Sequence, residues 1–102
     1  MSKLEVALDR LIALYRPKKI FLFGSRARGD HEEISDIDLV IIVDSDMTAA
    51  NRDAKNAYRA IFGLGLDADI LVWTERYFEE RSKVRTSLPA TVVREGRLLY
   101  AA

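Results

Sequence analysis

Two carboxylates, Asp36 and Asp38, stand two residues apart at the head of the apolar run "IDLVIIV". On a β-strand alternate residues share a face, so both project to one side, roughly 7 Å apart along the chain. Ile37 and Leu39 point the other way, into a core. Parallel like charges raise each other's pKa and are costly on a strand otherwise filled with isoleucine and valine, unless a cation sits between them. Magnesium, a hard ion that takes carboxylate and phosphate oxygens, is the natural guest. Taken alone, an Asp-x-Asp is weak, because a solvated strand end carries the same pattern. A third acid changes the weighing: Asp69, in "DADILVW", interrupts another apolar strand, and three carboxylates converge if the two strands are neighbours. Asp67 shares the face of Asp69 and competes with it as third ligand. It follows Gly65 closely and lies nearer the strand's edge, so Asp69 is the preferred candidate.

Upstream, "KIFLFG" reads as a buried strand closed by Gly24, with Ser25 and then "RARG" after it. Free backbone N–H groups at such a turn form a ready anion site. Gly24 would let a phosphate approach the backbone, and the Ser25 hydroxyl adds a donor. An ordinary strand exit would carry the same pair. Arg28 is a candidate phosphate ligand through its planar fork, whereas Arg26 stays open between that role and a surface ion pair. His31, the only histidine, reads as a solvated loop residue, with no second histidine or cysteine to support a zinc site. Ser35 is placed to orient Asp36 by hydrogen bonding. Trp73, Tyr77 and Phe78 could stack on an adenine, but core packing explains them more simply. Phosphate cradle and carboxylates together are equipment for metal-assisted attack on a nucleoside triphosphate.

The elements that must hold these residues follow from periodicity. "SKLEVALDRLIALYRP" has helical spacing at Leu4, Leu8, Leu11, Ile12 and Tyr15, a Ser2/Glu5 capping box and a stop at Pro17. After the strands "KIFLFG" and "DIDLVIIV", the stretch "SDMTAANRDAKNAYRAIFGLG" predicts a helix longer than three turns. Its face carries Ala50, Ala54, Ala57, Tyr58 and Ile61, and Gly63 or Gly65 supplies the stop. "DADILVW" is the third strand, and Thr74 caps the short helix "ERYFEERSK". Ser87 and Pro89 open a last helix that Gly96 ends, with "RLLYAA" as an extended tail. A long helix between the second and third strands is what a parallel or mixed crossover needs. The dozen residues between the first two strands are long enough for a functional loop.

The bulk composition narrows the class. With 102 residues and 49% hydrophobic content, the chain is expected to form one domain, residues 1–102, around one core. Lys plus Arg and Asp plus Glu each total 16, a balance that argues against a protein that coats DNA or RNA. No stable direct nucleic-acid contact is expected. The absence of cysteine excludes disulfides and thiolate metal sites. The longest apolar run is too short to span a bilayer, and the N-terminus does not look like a signal peptide, so a cytoplasmic protein is expected.

Gly24-Ser25, ten residues, then Asp36-Ile37-Asp38 resembles the G-S-x(10)-D-x-D signature of the nucleotidyltransferase superfamily that contains DNA polymerase beta. "FLFGSRARGDHEEISDIDLVIIV" is closely similar to the minimal nucleotidyltransferases (MNT), and the likeness continues through "DADILVW" and "TVVREGRLLY". The resemblance implies an α/β (α+β) fold, a small mixed sheet flanked by helices. It implies that Asp36, Asp38 and Asp69 hold two magnesium ions, that Gly24 and Ser25 hold the triphosphate, and that AMP passes from ATP to an acceptor hydroxyl. Minimal members typically pair with a small helical HEPN-type protein as a toxin–antitoxin module. The antitoxin moves AMP onto a tyrosine of the HEPN ribonuclease. Two other readings stand beside this one: transfer to a small molecule of the antibiotic type, and an antitoxin that neutralises by binding without catalysis. Nucleotide preference, the number of AMP units and any homo-oligomer are left open by the sequence.

Overall fold

The computed structural model describes residues 1–24 and 37–102. Ser25, Arg26, Arg28, His31, Ser35 and Asp36, with the turn expected at "RARG", lie outside the described residues. Four helices and four strands are described. They run α1 (Lys3–Tyr15), β1 (Lys19–Phe23), β2 (Ile37–Val43), α2 (Ala54–Ile61), β3 (Ala68–Thr74), α3 (Glu75–Ser82), α4 (Leu88–Glu95) and β4 (Arg97–Ala101). The strands form one mixed sheet in the order β3-β2-β1-β4. β1 is antiparallel to both β2 and β4, whereas β2 and β3 run parallel through the α2 crossover.

β2 is the centre of the molecule because it is covered on both faces, which its unbroken apolar run requires. Leu39, Val40, Ile41, Ile42 and Val43 are all essentially inaccessible. Leu39, Ile41 and Val43 pack with Ala7, Leu11 and Tyr15 of α1 and Ala57 and Ile61 of α2. Val40 and Ile42 face the opposite side, against Phe21, Phe78 of α3 and Val92 of α4. Burying such a side chain stabilises by about 1.5–3 kcal/mol, so this one strand supplies a large part of the core.

Side-chain caps fix where each helix begins. Ser2 and Glu5 make the capping box at α1. At the other end Arg16 adopts the left-handed conformation (φ 45°) and its N–H closes onto the Ile12 carbonyl, before Pro17 ends the helix. The Thr74 hydroxyl accepts from Tyr77 N–H at 3.1 Å, so the last residue of β3 also caps α3. Ser87 is buried yet satisfied: it donates to the Arg81 carbonyl at 2.6 Å and accepts from Ala90 N–H at 3.1 Å, joining α3 to α4.

One expectation is corrected and another is extended. α2 has 8 residues, little more than two turns, and Ala50 lies outside it. Polar side chains upstream compete for the backbone: Asp44 accepts from Asp46 N–H at 2.8 Å and Thr48 from Asn51 N–H at 3.2 Å. The helix starts where the Asp53 carboxylate caps Lys55 N–H at 2.9 Å. It is flanked at its end by Phe62, just before Gly63 with its φ of 88°. The C-terminal "RLLYAA" is extended as expected, and Arg97–Ala101 is in addition an edge strand paired with β1. Among the described residues no helix is long and apolar enough to cross a membrane.

The Tyr15 hydroxyl donates to the Asp53 carbonyl at 2.8 Å, tying the end of α1 to the cap of α2. Burial pushes the phenol above its ordinary value and the Asp53 charge adds to this, while a backbone hydrogen bond with Ala57 opposes it. As pH rises past about 10, the unfolded chain loses this proton first, so stability falls until the folded phenol titrates too. Urea denaturation should show a smaller alkaline loss in Tyr15→Phe than in wild type. At neutral pH that variant should cost about 0.5–1.5 kcal/mol, the net worth of one hydrogen bond. Equal alkaline losses would clear Tyr15 of the effect. Ile41→Ala should cost about 2–5 kcal/mol in the same measurement.

Candidate active site

β2 and β3 are held in register from their first residues. Ile37 N–H donates to the Asp67 carbonyl at 3.1 Å, and Ile37 pairs with Ala68, Asp38 with Asp69 and Leu39 with Ile70. Neighbouring strands lie about 4.8 Å apart, and residues in register point to the same face. Asp38 and Asp69 therefore stand side by side on the face that also carries Val40 and Ile42. α3 and α4 cover that face farther along the strands, at Val40, Ile42 and Phe21. At the acids' end Asp38 is half-buried, Asp69 exposed and Leu71 partly open to solvent.

Gly24 completes this corner. It follows Phe23, which pairs with Asp38 across the antiparallel β1–β2 ladder. Its φ of 86° lies in the left-handed region, where glycine is at ease. A Cβ built on Gly24 would stand 2.6 Å from Oδ2 of Asp38. The Asp38 carboxylate thus leans over the β1 side of β2, with Asp69 on the β3 side.

Of the residues singled out in the sequence, the structure brings together Gly24, Asp38 and Asp69. Asp67 is placed differently. It precedes β3 and lines an open groove of about 590 Å³ with Tyr58, Phe62 and Gly65, a groove that neither Asp38 nor Asp69 borders. Trp73 and Phe78 are packing residues, with ring centroids 6.2 Å apart and Phe78 5.6 Å from Phe21. Tyr77 is exposed and tilts against Trp73. Tyr58, read as part of an apolar helix face, also serves the sheet: its hydroxyl accepts from Ile70 N–H at 2.9 Å on the outer edge of β3. This occupies one backbone donor on the β3 side of the sheet.

The donors suit a hard divalent cation. Two adjacent carboxylates at an open strand end offer oxygen ligands to magnesium and leave room for substrate oxygens and water. Among the described residues no group of three or more such side chains forms by itself; Asp36, the remaining candidate, lies outside them.

A model of the nucleotidyltransferase domain matches residues 4–99 of the chain. The chain belongs to that family. A Methanocaldococcus jannaschii protein, named as a candidate protein adenylyltransferase, is 38% identical over 85 residues, 83% of this chain and 80% of that protein. The crystal structure of a candidate nucleotidyltransferase from Sulfolobus solfataricus shares the fold. Its TM-score is 0.66 at 22% identity, over 97% of this chain and 78% of the other. A chain of a toxin–antitoxin crystallised with AMP-PNP is similar at a TM-score of 0.52 and 25% identity, over 92% of this chain and 73% of that one. The mixed sheet flanked by helices is thus a nucleotidyltransferase fold, with Gly24, Asp38 and Asp69 at one end of the neighbouring strands β1, β2 and β3.

Proposed function

We propose that this nucleotidyltransferase transfers AMP from ATP to a hydroxyl of a partner protein. The acceptor in this reading is a tyrosine of a small helical HEPN-type toxin, and the chain is its antitoxin. The observation that carries the proposal is the register of β2 and β3, which sets Asp38 beside Asp69 at the strand end next to Gly24. The 38% identical relative named for protein adenylylation supports a protein acceptor, and the toxin–antitoxin similar in fold supports the kind of partner and an ATP-like donor.

Asp36, Asp38 and Asp69 would hold two magnesium ions, and Gly24, Ser25 and Arg28 the triphosphate. Bound magnesium would polarise the phosphoryl oxygens and make a coordinated hydroxyl more acidic. The acceptor oxygen attacks the α-phosphorus as the bond to the β-phosphate oxygen breaks, and pyrophosphate leaves. Asp69, the exposed carboxylate of the pair, accepts the proton of the attacking hydroxyl. Asp38, set deeper, holds its position with the strand. A tyrosine hydroxyl has a free pKa of about 10, so proton removal is a real part of the barrier near neutral pH.

Intact-mass spectrometry of the partner after incubation with this protein and magnesium-ATP should show added AMP. Asp69→Asn should lower the rate by at least about 10²–10⁴-fold, the worth of a general base, and Asp38→Asn should lower it by removing a metal ligand, both with urea midpoints retained. A stable complex without added mass, or neutralisation that survives both substitutions, would make this a binding antitoxin. Transfer only to small-molecule hydroxyls would move the acceptor to the antibiotic type. The choice between the two β3 acids is tested by Mn²⁺ titration followed through water proton relaxation. Asp69→Asn should weaken binding at least about tenfold and Asp67→Asn less than about twofold, on the scale of metal-site losses; the reverse order would exchange their roles.

A further inference from the structure

We propose that Gly24 is a positioning residue for Asp38, its missing side chain reserving the space in which the Asp38 carboxylate sits. The inference rests on the reading of Asp38 as a metal ligand and goes beyond the phosphate-approach role expected of this glycine. A Cβ at Gly24 would lie 2.6 Å from Oδ2, 3.5 Å from Cγ and 3.8 Å from Cβ of Asp38. The first distance is far inside an ordinary carbon–oxygen contact of about 3.3 Å, so one of the two side chains has to move. Asp38 is fixed by its backbone in the middle of the sheet, between Phe23 and Asp69. A carboxylate displaced from the β1 side changes its position relative to Asp69, the second negative charge on the neighbouring strand. Any side chain at position 24 therefore disturbs the two acids that the strand register brings together.

A second glycine separates this steric demand from a purely conformational one. Gly63 has a φ of 88°, against 86° for Gly24, yet a Cβ there meets nothing within 4 Å. Alanine at either position suffers the same left-handed strain, but only at 24 does it strike a neighbour.

The test uses the full chain and Mn²⁺ as the probe, again through water proton relaxation. Gly24→Ala should weaken Mn²⁺ binding about 10–100-fold, while Gly63→Ala stays within about twofold of wild type. In urea, Gly24→Ala should lower the midpoint more than Gly63→Ala does, and the excess should vanish in an Asp38→Ala background, where only ordinary contact with Cβ remains. Wild-type-like Mn²⁺ binding by Gly24→Ala overturns the positioning role. An excess that persists without the Asp38 carboxylate overturns the steric seat itself. A wild-type chain that takes up no Mn²⁺, with or without ATP, overturns the metal reading of Asp38 and the positioning role with it.

Discussion

The rest of the structure depends on the parallel register between β2 and β3. Parallel pairing cannot be made by a tight turn; the chain must leave the sheet, cross one face and return. Here the return is short: a series of polar turns and the two turns of α2. The Tyr15 hydroxyl clamps the start of α2 to α1, and Ala57 and Ile61 press α2 into the core. Once that crossover is seated, Ile37 N–H finds the Asp67 carbonyl and every later pair follows, Asp38 with Asp69 among them. A slip of one residue would turn Asp69 toward the other face and put Ile70 beside Asp38. The burial of Ile70 against the α1/α2 side opposes that slip, so the same apolar packing that stabilises the sheet also holds the acids together.

The two faces of the sheet divide the work. On one, α1 and α2 cover the strands from Ile37 to Val43 and build the larger cluster. On the other, α3 and α4 contribute Phe78 and Val92 and reach Val40 and Ile42. The strand end with Asp38 and Asp69 stays partly open. A fully covered carboxylate pair would bear a heavy desolvation cost, while an isolated surface pair would have no fixed geometry. A half-covered strand end avoids both: the backbone is rigid, and the carboxylates remain within reach of water and ligands.

The apolar run of β2, its cover on both faces and the caps at Ser2, Thr74 and Ser87 were legible in the sequence, because each rests on local pattern or composition; that the second and third strands are neighbours stood there only as a condition, and the parallel pairing supplies it. The length of α2 was not. Ala50, Ala54 and Ala57 fit a helical face, but the side chains of Asp44, Thr48 and Asp53 redirect the backbone before Ala54. Periodicity counts apolar positions and is blind to that competition. The pairing of β4 was missed for a different reason: "RLLYAA" has no alternation strong enough to mark an edge strand, and its place beside β1 is set by tertiary contact. The candidate acids were readable as interruptions of apolar strands. The crowding between Gly24 and Asp38 was not, since it exists only once the β1–β2 register is known.

That crowding bears on how a neutral chain could handle a polyanion. The acids at this corner repel a triphosphate as readily as they attract a cation, and the chain's 16 basic residues only balance its 16 acidic ones. On the proposed function, nucleotide binding is therefore linked to the charge that the carboxylates collect, and loss of either acid affects two ligands at once. The seat at Gly24 belongs to this linkage. Without a side chain there, the Asp38 carboxylate can occupy the β1 side of its strand, while Asp69 stands on the neighbouring β3. Backbone register sets the acids side by side, and an absent methyl group leaves one of them its room.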